Sequence, residues 1–194
     1  MNSNLFLMLE VNLKPFTNLE TERFLLRKFE LSDKEDLFEI RSNPEVMKYI
    51  PRPLAITIDD AVQHLERLEK VWNENEGINW AIEEKSSKKV VGIIGYFQFV
   101  KENYRVEVGY MLNPGWHKKG IMHEVLQVVI PFGFEKLKVH SIEAIIDPGN
   151  TASSKLLLKN HFRKEGLFKQ DCFFEGKFYD SEIYSLVKGI DYKN

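Results

Sequence analysis

The sequence lacks the features of a secreted or membrane-spanning protein. Of its 194 residues only Cys172 is a cysteine, so neither an intramolecular disulfide nor a zinc site built from several cysteines can form. No apolar run approaches the roughly 18 residues of a membrane span. The stretch from Leu5 to Leu9 has no preceding Lys or Arg and ends at Glu10, so it does not fit a signal peptide. We therefore expect a cytoplasmic protein that does not bind membranes.

Metal spacings and an excess of basic charge are missing as well. The five histidines show no His-x-x-x-His pattern, so we expect no metal site. The 27 Lys and Arg residues face 29 Asp and Glu residues, for a net charge of −2. This balance does not favour nucleic acid as a partner, because affinity for it depends on many basic side chains.

What the sequence does contain is typical of one globular domain. Hydrophobic residues make up 43% of the chain, enough for an ordinary core, and there is no repeat or Gly/Ser linker. We expect a single domain over residues 1–194, in which 1–18 form an N-terminal extension and about 19–188 form the core. A homodimer and a monomer both remain open.

Hydrophobic periodicity predicts the order β-α-α-β-β-β-α-β-α-β-β. The predicted strands are 23–29, 78–84, 89–100, 104–112, 140–147 and a final hairpin over 164–187, and the predicted helices are 32–43, 57–74, 120–137 and 150–162. Ser32 and Glu35 predict a capping box for the first helix. Pro131 predicts a kink in the third helix or an earlier end to it. The fold class is therefore α/β (α+β), with a mixed sheet of about seven strands and about four helices.

One helix lies between two strands that should be parallel. A strand that follows a helix implies a right-handed crossover, so 140–147 should pair with 104–112. Ligands bind beyond the carboxyl ends of parallel strands, where "NPGWHKKGIMHEVL" (113–126) lies. A helix start there offers unpaired N–H groups to a phosphate, Gly120 allows close approach, and Lys118 and Lys119 add positive potential. The alternative is a Pro-Gly turn that leads into a helix with two solvated lysines.

The loop matches neither a Walker sequence nor a dinucleotide fingerprint. It resembles the acetyl-coenzyme A signature [QR]-x-x-G-x-[GA] of the GNAT superfamily of N-acetyltransferases. The residues in that register are His117, Lys118, Lys119, Gly120, Ile121 and Met122, and they depart from it at the first and last positions. The RimJ/RimL-like subgroup, similar to ribosomal-protein N-acetyltransferases, has the form seen in "GIMHEVL". Further matches are "LETERFLLRKFELSDKEDLFEIRSNPEVMKYI", "VEVGYML" and "NTASSKLLLKNHFRKEG", so the resemblance runs from about Leu19 to Val187.

The resemblance implies a single GNAT-like domain and transfer of an acetyl group from acetyl-coenzyme A to a primary amine in a ternary complex. The amides of 117–122 would hold the pyrophosphate, and the edge formed by Tyr110, Met111 and Leu112 would pair with the pantetheine arm. The amide of Met111 or Leu112 would polarise the thioester carbonyl. Asn150 would contact the pantetheine, and Ser153 would assist the departing thiolate. The alternative role of Asn150 is that of a helix N-cap.

Glu107 is the candidate general base. By strand alternation it shares a face with Gly109 and Met111, beside the expected thioester. The alternative is a surface carboxylate paired with a Lys or Arg. Some ribosomal-protein acetyltransferases place a catalytic glutamate at about the position of Cys172, which we interpret here as a partly buried, inert thiol.

The acceptor is less defined by the sequence. Tyr49, Trp80 and Phe97, with Tyr96, are candidates for an acceptor groove beside the "KYIPRP" loop, and the alternative is that they belong to the core. The acceptor itself would be a protein N-terminal amine or a small amine. A non-catalytic module that binds coenzyme A or a nucleotide, and a purely structural domain, are the rival interpretations.

Overall fold

A computed structural model describes residues 8–192 and contains one eight-stranded sheet. The strands are β1 (Leu19–Glu20), β2 (Phe24–Arg27), β3 (Ile78–Glu84), β4 (Val90–Val100), β5 (Arg105–Leu112), β6 (Ser141–Ile146), β7 (Arg163–Phe174) and β8 (Lys177–Val187). Their order across the sheet is β1-β2-β3-β4-β5-β6-β8-β7. All neighbours are antiparallel except β5 and β6, which are parallel. The predicted fold class and central crossover are confirmed, and β1 is an addition.

In the described part of the chain, five α-helices accompany the sheet. They are α1 (Lys34–Arg41), α2 (Pro44–Met47), α3 (Ile58–Asn73), α4 (Ile121–Pro131) and α5 (Thr151–Lys159). The prediction for Pro131 is confirmed, because α4 ends there and continues as a π-helical turn over 132–136. A proline has no N–H for the helical ladder, which favours a change of hydrogen-bond pattern at that point.

The predicted cap of the first helix is wrong. The backbone N–H of Glu30 donates to the Asp33 carboxylate over 2.8 Å, and a 3-10 turn over Leu31–Asp33 precedes α1. Arg27 of β2 also holds that carboxylate, with two contacts of 2.7 and 2.8 Å. This partly buried ion pair sets the start of the turn, and a local pattern in the sequence does not reveal it.

The two faces of the sheet carry different helices. Helices α4 and α5 pack on one face, where the Tyr96 hydroxyl donates to the Val129 carbonyl over 2.9 Å. Helices α1 and α3 contact each other through Leu37, Ala61 and Leu65 and pack against β3 and β4 on the opposite face. On the same face as α1 and α3, the part of the sheet formed by β5, β6 and β8 is not covered by these helices, so it offers room for a ligand.

The segment before β1 is part of the packed structure as far as it is described. Leu9 and Leu13 are buried in the main core. The Trp72 indole N–H donates to the Leu13 carbonyl over 2.9 Å, and that of Trp80 donates to the Thr17 carbonyl over 2.8 Å. Residues 1–7 of the expected N-terminal extension, including part of the Leu5–Leu9 stretch, lie outside the described residues. Among residues 8–192, no helix is long and apolar enough to cross a membrane.

Candidate active site

The parallel strands β5 and β6 pair over only three residues each. The pairs are Arg105 with Ser141, Val106 with Ile142 and Glu107 with Glu143. Beyond these pairs the strands separate, while β5 continues to pair with β4 as far as Leu112. The remainder of β5 therefore presents an unpaired edge, which is what an extended ligand needs to bind as an added strand.

Strand alternation determines which amides face this opening. Asn113 N–H donates to the Val91 carbonyl of the β4 side over 2.9 Å, in the same register as the β4–β5 ladder. Backbone groups of Met111, two residues earlier, therefore point to β4, and those of Tyr110 and Leu112 point to the opening. The prediction that Met111 could offer its amide to the thioester is wrong, and Tyr110 and Leu112 are the residues whose amides face the opening.

The loop before α4 begins with a 3-10 turn over Pro114–Trp116. The His117 N–H donates to the Pro114 carbonyl over 3.0 Å, so this amide is not available to a ligand, contrary to the prediction. The His117 ring instead donates from Nε2 to the Leu112 carbonyl over 3.0 Å. It thereby connects the loop to the open edge of β5.

The amides after His117 remain available. Within residues 8–192, no acceptor contacts the N–H groups of residues 118–120. The N–H groups of Ile121 and Met122 open α4, where a helix has no internal acceptors for them. Gly120 is the N-cap with φ 75°, and an added Cβ there would meet nothing within 4 Å. Glycine is thus favoured by backbone conformation, and the space above it is open.

Arg23 holds this loop from the side, a role that sequence reasoning missed. Its guanidinium donates to the Lys119 carbonyl over 3.1 Å and pairs with Glu124 of α4 over 2.6 Å. The Lys119 ammonium lies 4.6 Å from the centroid of the Trp116 ring. No local pattern links Arg23 to residues about 100 positions later, so only the fold reveals the contact.

A pair of hydroxyl groups closes the inner end of the opening. The Tyr110 hydroxyl lies 2.5 Å from Ser153 Oγ of α5, and either oxygen is able to donate. Asn150 accepts from the Ser153 N–H over 3.1 Å, so Asn150 is the N-cap of α5. Burial raises the pKa of Tyr110 to about 12, so this hydroxyl remains protonated at neutral pH. The Tyr110 side chain was not singled out from the sequence.

Glu107 lies on the opposite face, half-buried. It is paired in register with Phe97 of β4 and with Glu143 of β6. Burial, and then the negative charge of Glu143, raise the pKa of Glu107 to about 7, while the positive charge of Arg52 opposes this increase. Glu143 pairs with Arg105 over 3.1 Å, whereas Glu107 has no ion pair among residues 8–192. The alternative of a surface carboxylate paired with a Lys or Arg is not what the structure shows.

A groove of about 600 Å³ runs over this face from Glu107. Its polar lining includes three carboxylates, from Glu107, Glu143 and Glu165, and its apolar lining includes Ile145 and Phe168. The groove therefore combines negative charge with apolar walls. Such a lining suits an amine on an apolar carrier.

The three aromatic candidates separate in the structure. Phe97 lies against Gly109, where an added Cβ would be 2.8 Å from its ring, and Tyr49 lies against Gly149, where an added Cβ would be 3.1 Å from its ring. Both are half-buried. Trp80 is fully buried against Tyr96 and Phe132, so its assignment to the acceptor groove is wrong. Its alternation on β3 turns it to the α4 face.

The remaining candidates carry no further chemistry in the structure. Cys172 is a free, half-buried thiol on β7, opposite Tyr179 of β8. Among residues 8–192, no group of three or more His, Cys, Asp or Glu side chains is arranged to hold a metal ion.

Comparison with known proteins gives a consistent family match. The model of the acetyltransferase (GNAT) domain matches residues 23–163. The uncharacterized N-acetyltransferase YoaA of Bacillus subtilis (strain 168) is 35% identical over 173 residues, which cover 89% of this chain and 98% of that protein. The [ribosomal protein uS5]-alanine N-acetyltransferase of Escherichia coli (strain K12) is 28% identical over 101 residues, which cover 52% of each chain. The crystal structure of a GNAT-family acetyltransferase from Bacillus anthracis superposes with a TM-score of 0.79 at 28% identity, covering 88% of this chain and 98% of that one.

Proposed function

Because the chain belongs to the GNAT acetyltransferase family and is an acetyl-coenzyme A dependent N-acetyltransferase, we propose that it acetylates a primary amine by direct transfer in a ternary complex. The observation that carries the proposal is Glu107. It is a half-buried carboxylate with a pKa raised to about 7, located where β5 parts from β6. A base in that position is able to take the proton of an amine that approaches from the groove.

The residues around the opening fit the coenzyme. The free amides of 118–122 and the open space at Gly120 suit a pyrophosphate, and the unpaired edge at Tyr110 and Leu112 suits the pantetheine arm. Asn150 lies at the same opening. When bound, acetyl-coenzyme A supplies the acetyl thioester. An N–H group of this edge, from Tyr110 or Leu112, would then donate to the acetyl oxygen, on which negative charge develops during the reaction.

The proton has a path on each side of the sheet. The amine nitrogen attacks the acetyl carbon, a C–N bond forms as the C–S bond breaks, and Glu107 accepts the proton that the nitrogen loses. The Tyr110 hydroxyl, which remains protonated at neutral pH and is paired with Ser153, donates a proton to the departing sulfur. Exchange with solvent then removes the proton from Glu107 and returns one to the hydroxyl pair. An α-amino group has a pKa near 8 and is partly unprotonated at pH 7, which favours it over a lysine side chain.

The lining of the groove indicates what kind of acceptor the enzyme would use. Its carboxylates attract a cationic amine before it loses a proton, and Phe97 lies opposite Glu107 on the neighbouring strand. A protein N-terminus and a small amine both fit this lining. The relative named for acetylating an alanine of ribosomal protein uS5 supports the protein N-terminus.

The proposal extends to setting and organisation. We propose one catalytic domain over residues 1–194, with its core at about 19–188, that works in the cytoplasm as a monomer or homodimer without nucleic acid or membrane partners. The single cysteine and the balanced charge support this setting.

Thiol release from acetyl-coenzyme A with a panel of amines tests the proposal. The panel contains N-terminal peptides, polyamines and aminoglycosides, and we expect release with at least one acceptor and its loss in Glu107→Gln. Binding of acetyl-coenzyme A without release under every acceptor would favour the rival, a non-catalytic module. Absence of binding at tens of micromolar would contradict the proposal itself.

A further inference from the structure

Three arginines lie on the side of the sheet that carries α1 and α3, and none of them has a carboxylate partner among residues 8–192. We call Arg41, Arg52 and Arg67, together with His64, the arginine cluster. Arg41 ends α1, Arg52 lies in the loop before α3, and the other two belong to α3. Arg41 is only 8% exposed, whereas Arg52 and Arg67 are exposed.

The contacts of Arg41 leave its charge uncompensated. Its guanidinium lies 3.6 Å from the sulfur of Met47 and donates to the Pro53 carbonyl over 3.3 Å. Among residues 8–192, no aspartate or glutamate forms an ion pair with any of the three arginines. A desolvated cation without an anion is costly, and proteins seldom keep one without a use.

Arg27 in the same chain shows how a structural arginine is neutralised. It is held by Asp33 over 2.7 Å and by Glu83 over 2.6 Å, and both carboxylates raise its pKa. Burial and the positive charges of Arg52 and Arg67 instead lower the pKa of Arg41. Arg27 therefore has carboxylate partners, whereas Arg41 has none within the described chain.

His64 responds to the same positive field. Burial first, and then the charge of Arg41, lower its pKa to about 4, so it is neutral at pH 7. Its Nε2 atom is buried and has no hydrogen-bond partner among residues 8–192. An anion bound here would meet guanidinium groups that favour carboxylates, next to an unsatisfied imidazole nitrogen.

The position of the arginine cluster indicates which ligand would supply the anion. Helices α1 and α3 pack on the sheet face that carries Glu107, opposite to α4, whose N-terminus suits the coenzyme pyrophosphate. Arg41 donates to the carbonyl of Pro53, which follows Arg52 in the chain, and α1 packs on β4, the strand that pairs with β5. The positive charge of Arg52 also acts on Glu107, so the cluster lies on the acceptor side. The coenzyme phosphates would instead bind at the N-terminus of α4, on the other face of the sheet.

We propose that the arginine cluster binds a carboxylate of the acceptor, so that the preferred acceptor is a primary amine that also carries an acidic group. This inference rests on the proposed function. The carboxylate is either the side chain of an acidic residue near a peptide N-terminus or the α-carboxylate of a free amino acid. In both cases Arg41 orients the acceptor while Glu107 receives its proton.

Matched acceptors provide the kinetic test. One pair of peptides differs only in Asp or Asn at the second position, and one amino acid is compared with its amide. We expect the wild type to show a kcat/KM at least tenfold higher for the acidic member of one pair, in line with a charged hydrogen bond to a guanidinium. The pair that shows the preference identifies the source of the carboxylate.

Variants show whether the cluster causes this preference. Arg41→Gln should bring the kcat/KM ratio close to one, and Arg67→Gln, at an exposed position, should lower the ratio as well. Lys136→Gln removes one positive charge from an exposed position on another part of the surface and should leave the ratio unchanged. A wild-type ratio near one for both pairs, or a ratio unaltered in the arginine variants, overturns the inference.

A binding measurement separates this inference from the proposed function. Succinate should raise the unfolding temperature of the wild type and of Lys136→Gln but not that of Arg41→Gln, with no reaction involved. Without succinate, Arg41→Gln should unfold at the same or a higher temperature, since it removes an uncompensated charge, whereas loss of a structural arginine would lower it. Stabilisation by succinate without acetyl transfer to any amine would leave the carboxylate site standing and refute the proposed function. Acetyl transfer without a preference for acidic acceptors and without stabilisation by succinate would support the proposed function and refute the carboxylate site.

Discussion

Replacing Glu107 with glutamine should make the protein more stable at alkaline pH and less active at every pH. The carboxylate has a pKa of about 7 against the ordinary 4.5, because burial and Glu143 disfavour its charged form. The folded protein therefore binds the proton more tightly than the unfolded chain does. The contribution of this group to stability is fully present below pH 4.5 and is lost as the pH rises through 7.

The size of the effect follows from the same two pKa values. At 1.36 kcal/mol per pKa unit, the difference between 4.5 and about 7 corresponds to about 3 kcal/mol. Glutamine has nearly the same shape and no charge, so it escapes this loss. The gain in the free energy of unfolding should grow from under about 1 kcal/mol at pH 5 to about 3 kcal/mol at pH 8.5.

Urea unfolding at the two pH values, followed by tryptophan fluorescence, measures this gain. Glu102→Gln is the matched control, because it makes the same change at an exposed position and should show no comparable growth. Acetyl transfer by Glu107→Gln should fall by about 10² to 10⁴ as the proton acceptor is lost. A stability difference that is equal at pH 5 and pH 8.5 would refute the assignment of a raised pKa, and full activity would remove Glu107 as the base.

Three further substitutions test the rest of the site. Gly120→Ala should lower the free energy of unfolding by about 1 kcal/mol because of the positive φ, and it should weaken acetyl-coenzyme A binding severalfold. Lys118→Ala should weaken this binding only modestly. Equal affinities of the two variants in calorimetric titration would contradict this view of the loop. Tyr110→Phe should lower kcat with little change in coenzyme affinity, because it removes the partner of the Ser153 hydroxyl, and an unchanged kcat would exclude the pair from proton transfer. Trp80→Leu should lower the free energy of unfolding by about 3 kcal/mol with the acceptor KM unaltered, and a raised KM in the folded enzyme would restore Trp80 to the groove.

Local patterns predicted the elements well because the forces behind them are local. Strand alternation gave β3 at its observed bounds, the 3.6-residue period gave α3, and Pro131 marked the change at the end of α4. The crossover rule then gave the parallel pairing of β5 with β6. The cap of α1 escaped this reasoning because Arg27, from another element, holds Asp33 in place.

Alternation in β5 also limited how far the site was predictable. It correctly put Glu107 and Met111 on one face, but it did not show which backbone amides β4 already uses. Pairing with β4 occupies the Met111 side of the strand and leaves Leu112 to the opening. The amide of His117 was likewise taken by Pro114, a contact that depends on how the turn closes.

The sequence by itself determined the order of strands and helices, the glycine at the start of α4 and the carboxylate of β5, since each depends on residues near one another in the chain. Only the tertiary structure decided the properties that give these residues their chemistry. The pKa of Glu107 depends on its burial and then on Glu143, and the opening at Leu112 depends on where β6 leaves β5. The uncompensated charge of Arg41 depends on which carboxylates lie near it. These are interactions between residues distant in sequence, and burial and charge act through space.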